Sequence, residues 1–282
     1  MSTFFWLIRR EFWENRAFWL VPSSISVLLI LAALFGRVDL RIVTSAAQTT
    51  AFGGMLLGVF GVAFLLVMSL YSTWYLVDCL YAERRDGSIL FWKSLPVTDT
   101  AAVLAKLATA LIVIPLVYFI AADITTLLIA FILSLRAGAL VEGSFWHADL
   151  WLQLQVTWLY LIITIAIWYL PVAAWLMLIS AWAKRSVTLW ALLVPLAAHW
   201  AARAFFGTNV IGNQIMDRLV GFAARAFHLR ADGARWPELP GNVAGLFNPG
   251  GFLTSPATWI GVAVGIALIL CTIRIRSRSA EI

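Results

Sequence analysis

The sequence predicts an all-α polytopic membrane protein, on three observations. Of 282 residues, 62% are hydrophobic and 12% charged, where an ordinary soluble domain is roughly 25% charged. The 20 basic and 14 acidic side chains are too few to cover a soluble surface around a core of this size. Those charges gather in short clusters between long charge-free runs, and the runs are continuously apolar. They therefore read as spanning helices and not as the alternating strands of an outer-membrane barrel. A soluble enzyme, a disordered chain and a nucleic-acid-binding domain are excluded despite the net charge of +6.

Taken in order, residues 1–17 form an amphipathic helix. At about 100° per residue, Phe4, Phe5, Ile8 and Phe12 share one arc, while Arg10, Glu11 and Glu14 occupy another. Trp6 and Trp13 suit the headgroup level, so the helix is expected to lie in the interface before the chain turns into the membrane. A cleavable signal peptide is not expected, because the first apolar run follows a charged, aromatic segment.

Six spans follow, each near the ~20 apolar residues a bilayer requires: 18–35, 53–77, 107–135, 154–181, 186–206 and 257–273. Pro22 falls in the first turn of span one, where proline is tolerated. Pro115, Pro171 and Pro195 are expected to kink spans three, four and five. In span five only Ser186–Ala202 is charge-free. The whole chain reads as one transmembrane domain.

Lys and Arg near the span ends set the orientation. Arg9, Arg10 and Arg16; Arg84, Arg85, Lys93 and Lys106; Lys184 and Arg185; and Arg274, Arg276 and Arg278 fall on one side. That side is assigned to the cytoplasm with both termini. Eight arginines fall on the other side, five of them in or beside the external segment 207–255. Cys79 and Cys271 are expected to be small apolar residues at span ends, not a disulfide or metal pair. Three scattered histidines make no metal motif.

The loop at 81–96 opens with Glu83, Arg84, Arg85 and Asp86, then Gly87 and Ser88. Ile89, Leu90, Phe91 and Trp92 follow, then Leu95-Pro96, with Thr98 or Asp99 able to cap the next helix. Aromatic residues held beside a charge cluster in a loop tend to mark a partner surface. Within the external segment, Ile215, Leu219, Phe222 and Ala226 share one face of a helix over Asn213–His228. Gln214, Asp217, Arg218, Arg225 and His228 share the other. Pro237, Pro240, Pro249 and Gly250-Gly251 then interrupt the chain before span six.

The order of these features resembles the type-2 ABC transporter permease family, the membrane subunits of type V ABC exporters. The loop "ERRDGS" followed by Leu-Pro-Val and a capped helix is similar to the coupling loop of that family, and "FFWLIRREFWENR" to its elbow helix. The resemblance implies that Glu83, Arg84, Arg85, Asp86, Gly87 and Ser88 form a docking corner for a cytoplasmic ATPase. Ile89, Leu90, Phe91 and Trp92 would supply the apolar contact. It also implies two ATPase copies carrying ATP and Mg, a second permease subunit, and a bacterial inner-membrane location. The external helix, with Ile215, Arg218, Leu219, Phe222 and Arg225, would re-enter the membrane as a gate. The chain itself is expected to be neither an enzyme nor a carrier of its own cofactor. No G-x-x-x-x-G-K-[ST] phosphate loop occurs, and Lys93, Lys106 and Lys184 all lack that context.

Asp123 is the one formal charge well inside a span. An unpaired charge there costs roughly 3 kcal/mol or more, so it should pair, face the bundle or be protonated. It reads either as a substrate-pathway or proton-coupling residue, with Tyr118 beside it, or as a buried hydrogen bond to Thr125, Tyr118 or another span. Gly54, Gly58 and Gly61, and Gly261 and Gly265, are candidates for close helix packing or dimerisation. An ion-coupled secondary transporter working through Asp123, and a non-transporting sensor or scaffold of the same fold, stay open beside the exporter reading.

Overall fold

The computed structural model describes residues 3–36, 46–88, 97–137, 148–228 and 243–278. Among them the chain is helical, with no strand beyond a single antiparallel bridge between Phe227 and Phe247. Six helices are long and apolar enough to cross a membrane.

Helix α1 (Thr3–Glu14) is followed at Asn15-Arg16 by α2 (Ala17–Phe35). The turn is held by the amide of Phe18 donating to the Asn15 carbonyl, and it drives the Phe18 ring into the core. Helix α3 (Ala46–Asp78) runs through span two and ends at the short α4 (Tyr81–Arg85). Helix α5 (Asp99–Ala108) starts on Thr98, whose hydroxyl accepts from the Ala101 amide, the side-chain cap expected of threonine.

Span three is irregular for a reason legible in its chemistry. Between α5 and α6 (Ile114–Ala137) the residues Thr109–Val113 make a π-helical turn, in which the Ile114 amide reaches the Thr109 carbonyl. The next bond of that pattern would run from residue 115 to Ala110, but Pro115 has no N–H to give. The Ala110 carbonyl is satisfied instead by Ser72 Oγ of α3 at 2.9 Å. A proline defect is thereby turned into a cross-link between spans.

Span four differs from a continuous helix. Pro171 divides it at Tyr169 into α7 (Ala148–Trp168) and α8 (Leu170–Trp182). Helix α9 (Val187–Phe206) then ends on Gly207 at φ 62°, the left-handed closing position that glycine favours. The external segment comprises α10 (Val210–Val220), α11 (Phe222–Ala226), a 3-10 turn Val243–Leu246 and α12 (Pro249–Thr254). Helix α13 (Pro256–Arg278) closes the described fold.

The main core lies between α2, α3, α5, α6 and α8, with Phe18, Phe64, Tyr118, Ile114 and Met177 among its enclosed side chains. Helix α8 is buried on most of its surface, since Ala173, Ala174 and Ala181 let neighbours approach, and it packs along α13. Gly265 of α13 faces Leu170 so closely that a Cβ would stand 2.9 Å from Leu170 Cγ. Helices α2 and α6 are fastened at both levels by polar groups. Thr125 Oγ1 donates to Ser26 Oγ at 2.7 Å, and Arg136 donates to the carbonyls of Ala33 (2.5 Å) and Gly36 (2.9 Å) at the end of α2. An arginine capping the last carbonyls of a helix meets both their hydrogen bonds and their partial charge. The outward faces, including Val62, Leu66 and Leu70 of α3 and Leu192, Leu196 and Trp200 of α9, are apolar, as lipid contact requires.

Candidate coupling site at the base of the bundle

The site assembles where α3 ends. After Asp78 the chain turns at Cys79-Leu80 into α4, whose first amides have no partner within so short a helix. Ser180 of α8 supplies one: its Oγ accepts from the amides of Leu80 (3.1 Å) and Tyr81 (3.0 Å). Arg84 returns the favour by donating to the carbonyls of Ser180 (2.5 Å) and Ala183 (2.8 Å) at the end of α8. Each helix therefore caps the other, and α4 is bolted to α8.

Turned one position back, Glu83 points inward and is 6% exposed. Its two oxygens divide their partners. Oε1 faces Lys106 Nζ of α5 at 3.2 Å and Arg10 of α1 at 4.0 Å, while Oε2 accepts from Arg276 Nη1 of α13 at 2.5 Å. Lys106 also donates to Glu11 Oε1 of α1 at 2.7 Å, and Glu11 Oε2 accepts the hydroxyl of Tyr75 at 2.7 Å. Arg276 Nε reaches Asp99 Oδ1 at 3.0 Å. Arg10 also holds Glu14 at 2.7 Å, so four carboxylates and three cations form one network in which Glu11, Glu83, Lys106 and Arg276 are all buried. Burying such charges carries a desolvation cost of several kcal/mol per ion unless every oxygen and N–H finds a partner. Here the partners come from α1, α3, α4, α5 and α13 together, so the network holds only when those five helices are in register.

Of the sequence-derived docking corner, Glu83 and Arg84 are therefore engaged inside the protein. Arg85, Asp86 and Gly87 are exposed, with Arg85 Nε donating to Asp86 Oδ1 at 2.9 Å, and Ser88 donates to the Glu83 carbonyl. Ile89, Leu90, Phe91 and Trp92 lie outside the described residues. Beside the exposed corner opens a cavity of about 390 Å³ between α1, α3 and α4. Its lining includes the exposed Glu14, Trp74 and Asp86 and the buried Glu11 and Lys106.

A second polar assembly forms where α10 meets the break in span four. Helix α10 ends at Val220 and leaves its last carbonyls without helical donors. Trp168 Nε1 donates to the Arg218 carbonyl at 2.9 Å and Tyr169 Oη to the Leu219 carbonyl at 3.0 Å. The Arg218 guanidinium lies 4.2 Å from the Trp168 ring centroid, with Arg225 at 4.8 Å from the same ring. Arg218 also donates to the carbonyls of Trp168 and Ala257. Gly261 of α13 leaves the room this needs, since any Cβ there would collide with the guanidinium.

The helix expected over Asn213–His228 is broken at Gly221 into α10 and α11. Of its apolar face Ala226 is buried, Ile215 and Phe222 are half-buried and Leu219 is 52% exposed; of its polar face Gln214 and His228 are exposed, while Arg218 and Arg225 lie over the Trp168 ring. Residues 217 and 225 do share a face, through an ion pair of 2.7 Å. Helix α1 turns Glu11 inward and packs Phe12 on the core, while Phe5, Trp6 and Trp13 face outward.

Asp123 is half-buried, and its Oδ1 accepts from Trp151 Nε1 and Gln155 Nε2 of α7, each at 2.7 Å. Its side chain bonds neither Thr125 nor Tyr118, and no cation lies within 4 Å among the described residues. Tyr118 is fully enclosed and stacks on Tyr71, and neither hydroxyl has a partner among the described residues. Gly61 faces Trp158 of α7, Gly58 has open space beside it, and the side-chain surroundings of Gly54 lie outside what is described. The ion network is not legible in the sequence, although Lys106 and Arg276 stand out there as topology marks and Asp99 as a possible helix cap. No family model matches the chain, and no curated protein and no solved structure matches it either.

Proposed function

We propose that this chain is the membrane-spanning permease subunit of an ATP-driven exporter, with ATP and Mg bound on a separate ATPase. The observation that carries the reading is the position of α4. Through Ser180 and Arg84 it is fixed to α8, and through Glu83 to α1, α5 and α13. A push on the exposed residues Arg85 to Gly87 is therefore passed to helices on several sides at once. That is the mechanical property a docking loop needs, and close-packed helices transmit it because their interiors yield little.

In this reading the base of the bundle faces the bacterial cytoplasm, both termini included, and two ATPase copies serve a pair of permeases. A second copy seats along α3, where Gly58 and Val62 face outward. Helix α10 re-enters the membrane and gates its outer side. Trp168, which Arg218 contacts, stands fourteen residues from Trp182 at the base of α8, or about 21 Å along a helix axis. That depth falls within a hydrocarbon core about 30 Å thick.

The test is recovery of a partner. The affinity-purified full-length chain should bring down an ATPase with a P-loop, and Trp92→Glu should lose it. If no ATPase is recovered under any mild extraction, the reading fails. One observation favours a second reading, an ion-coupled transporter: Asp123 lies within span three and its carboxylate is held by two neutral donors. Transport that is unchanged in Asp123→Asn at every pH removes that reading.

A further inference from the structure

We infer that the outward face of α1 is a binding surface for acidic phospholipid headgroups, recognised through Arg9 and Arg16. The inference stands on the spanning helices and on charge placement, not on the exporter reading.

The chain enters the first apolar helix at Ala17, directly after α1, so α1 lies where the membrane begins. Its exposed side chains include Phe4, Phe5, Trp6 and Trp13, a composition that suits a headgroup boundary and not water. Arg9 is exposed on α1, and Arg16 is exposed in the turn that joins α1 to α2. They stand on either side of the end of α1, next to the start of the first apolar helix. The Arg9 guanidinium rests 5.0 Å from the Trp6 ring centroid, and neither arginine has an acidic partner among the described residues.

The absence of negative charge on this face is a consequence of the buried network. Glu11 is drawn inward to Lys106 and Tyr75, and Glu14 is held by Arg10 Nε at 2.7 Å. Every carboxylate described at this end (Glu11, Glu14, Asp78, Glu83, Asp86, Asp99) has a cation within 4.0 Å. Helix α1 and the turn after it therefore present two uncompensated guanidiniums and four aromatic rings at the bilayer edge. A guanidinium pairs with a phosphate through two parallel hydrogen bonds, and a second negative charge on the headgroup or its neighbour would be matched by the second arginine. An acidic protein surface would satisfy the charge but not the aromatic rings.

The experiment uses the full-length chain in nanodiscs of equal phosphatidylglycerol and phosphatidylcholine, followed by gentle detergent extraction and mass spectrometry of the retained lipids. The wild type should retain phosphatidylglycerol preferentially. The Arg9→Gln/Arg16→Gln variant should lower that preference about fivefold or more, since each basic residue at an anionic surface contributes about 1 kcal/mol. Arg9→Lys/Arg16→Lys should keep most of it. Lys184→Gln/Arg185→Gln, which removes the same charge elsewhere at this end, should keep it too. Equal retention of both lipids by the wild type overturns the inference, as does an equal loss in the Lys184/Arg185 variant. So does an Arg9/Arg16 variant that keeps its lipid but loses a co-purifying protein.

Discussion

Arg276 Nη1 donates to Glu83 Oε2 at 2.5 Å across 193 residues of sequence, and both side chains are buried. The last described helix is in this way joined to the loop after span two. Removing one partner of a buried pair leaves the other charge uncompensated, at a cost of about 3–5 kcal/mol. Glu83→Gln and Arg276→Gln should each lower stability by that order in a denaturation series in detergent. The double variant should cost clearly less than the sum, and strict additivity would show that the pair carries no coupling.

Ser72→Ala should leave the Ala110 carbonyl without a donor, at about 1–3 kcal/mol. In a Pro115→Ala background the restored amide can take over that carbonyl. Thermal melts should then show a much smaller effect of Ser72→Ala in the Pro115→Ala chain than in the wild type.

The glycines separate by environment. Gly261→Ala drives a methyl group into the Arg218 guanidinium and should destabilise the chain while loosening α10, seen as faster proteolysis within the external segment. Gly58→Ala meets open space and should leave the monomer as stable or slightly more so, by up to about 1 kcal/mol. If a second copy packs there, Gly58→Ala should still reduce chemical cross-linking of the dimer.

Asp123→Asn keeps an oxygen for Trp151 and Gln155, so its stability should stay within about 1 kcal/mol of wild type. Asp123→Leu strands both donors and should cost about 1–3 kcal/mol, measured in the same denaturation series.

What could be read from the sequence was local. Charge-free runs of spanning length mark six apolar helices, and the 3.6-residue period marks α1 and α10 as amphipathic. What could not be read was where the charged side chains of those helices find their partners. Phe5 and Trp13 face outward and Glu11 goes inside, and the partner that makes this tolerable, Lys106, is 95 residues away. The breaks at Tyr169 and Gly221 had visible causes in Pro171 and a glycine. Their use, as the seat where Trp168 and Tyr169 cap α10, depends on contacts 50 residues apart. Glu83 and Arg84 looked like surface residues because neighbouring charges usually are. Only the packing of α8 and α13 against α4 shows that they serve the interior.

The central claim is that the loop after span two takes force from an ATPase and α4 passes it to the bundle. Affinity purification of the full-length chain from its native membrane, with ATP hydrolysis measured in the eluate, tests it most directly. A co-eluting P-loop ATPase is predicted, lost in Trp92→Glu and weakened in Arg85→Glu/Asp86→Arg, with the melting temperature of each variant unchanged. An eluate without ATPase, or the same ATPase recovery from all three chains, would contradict the account.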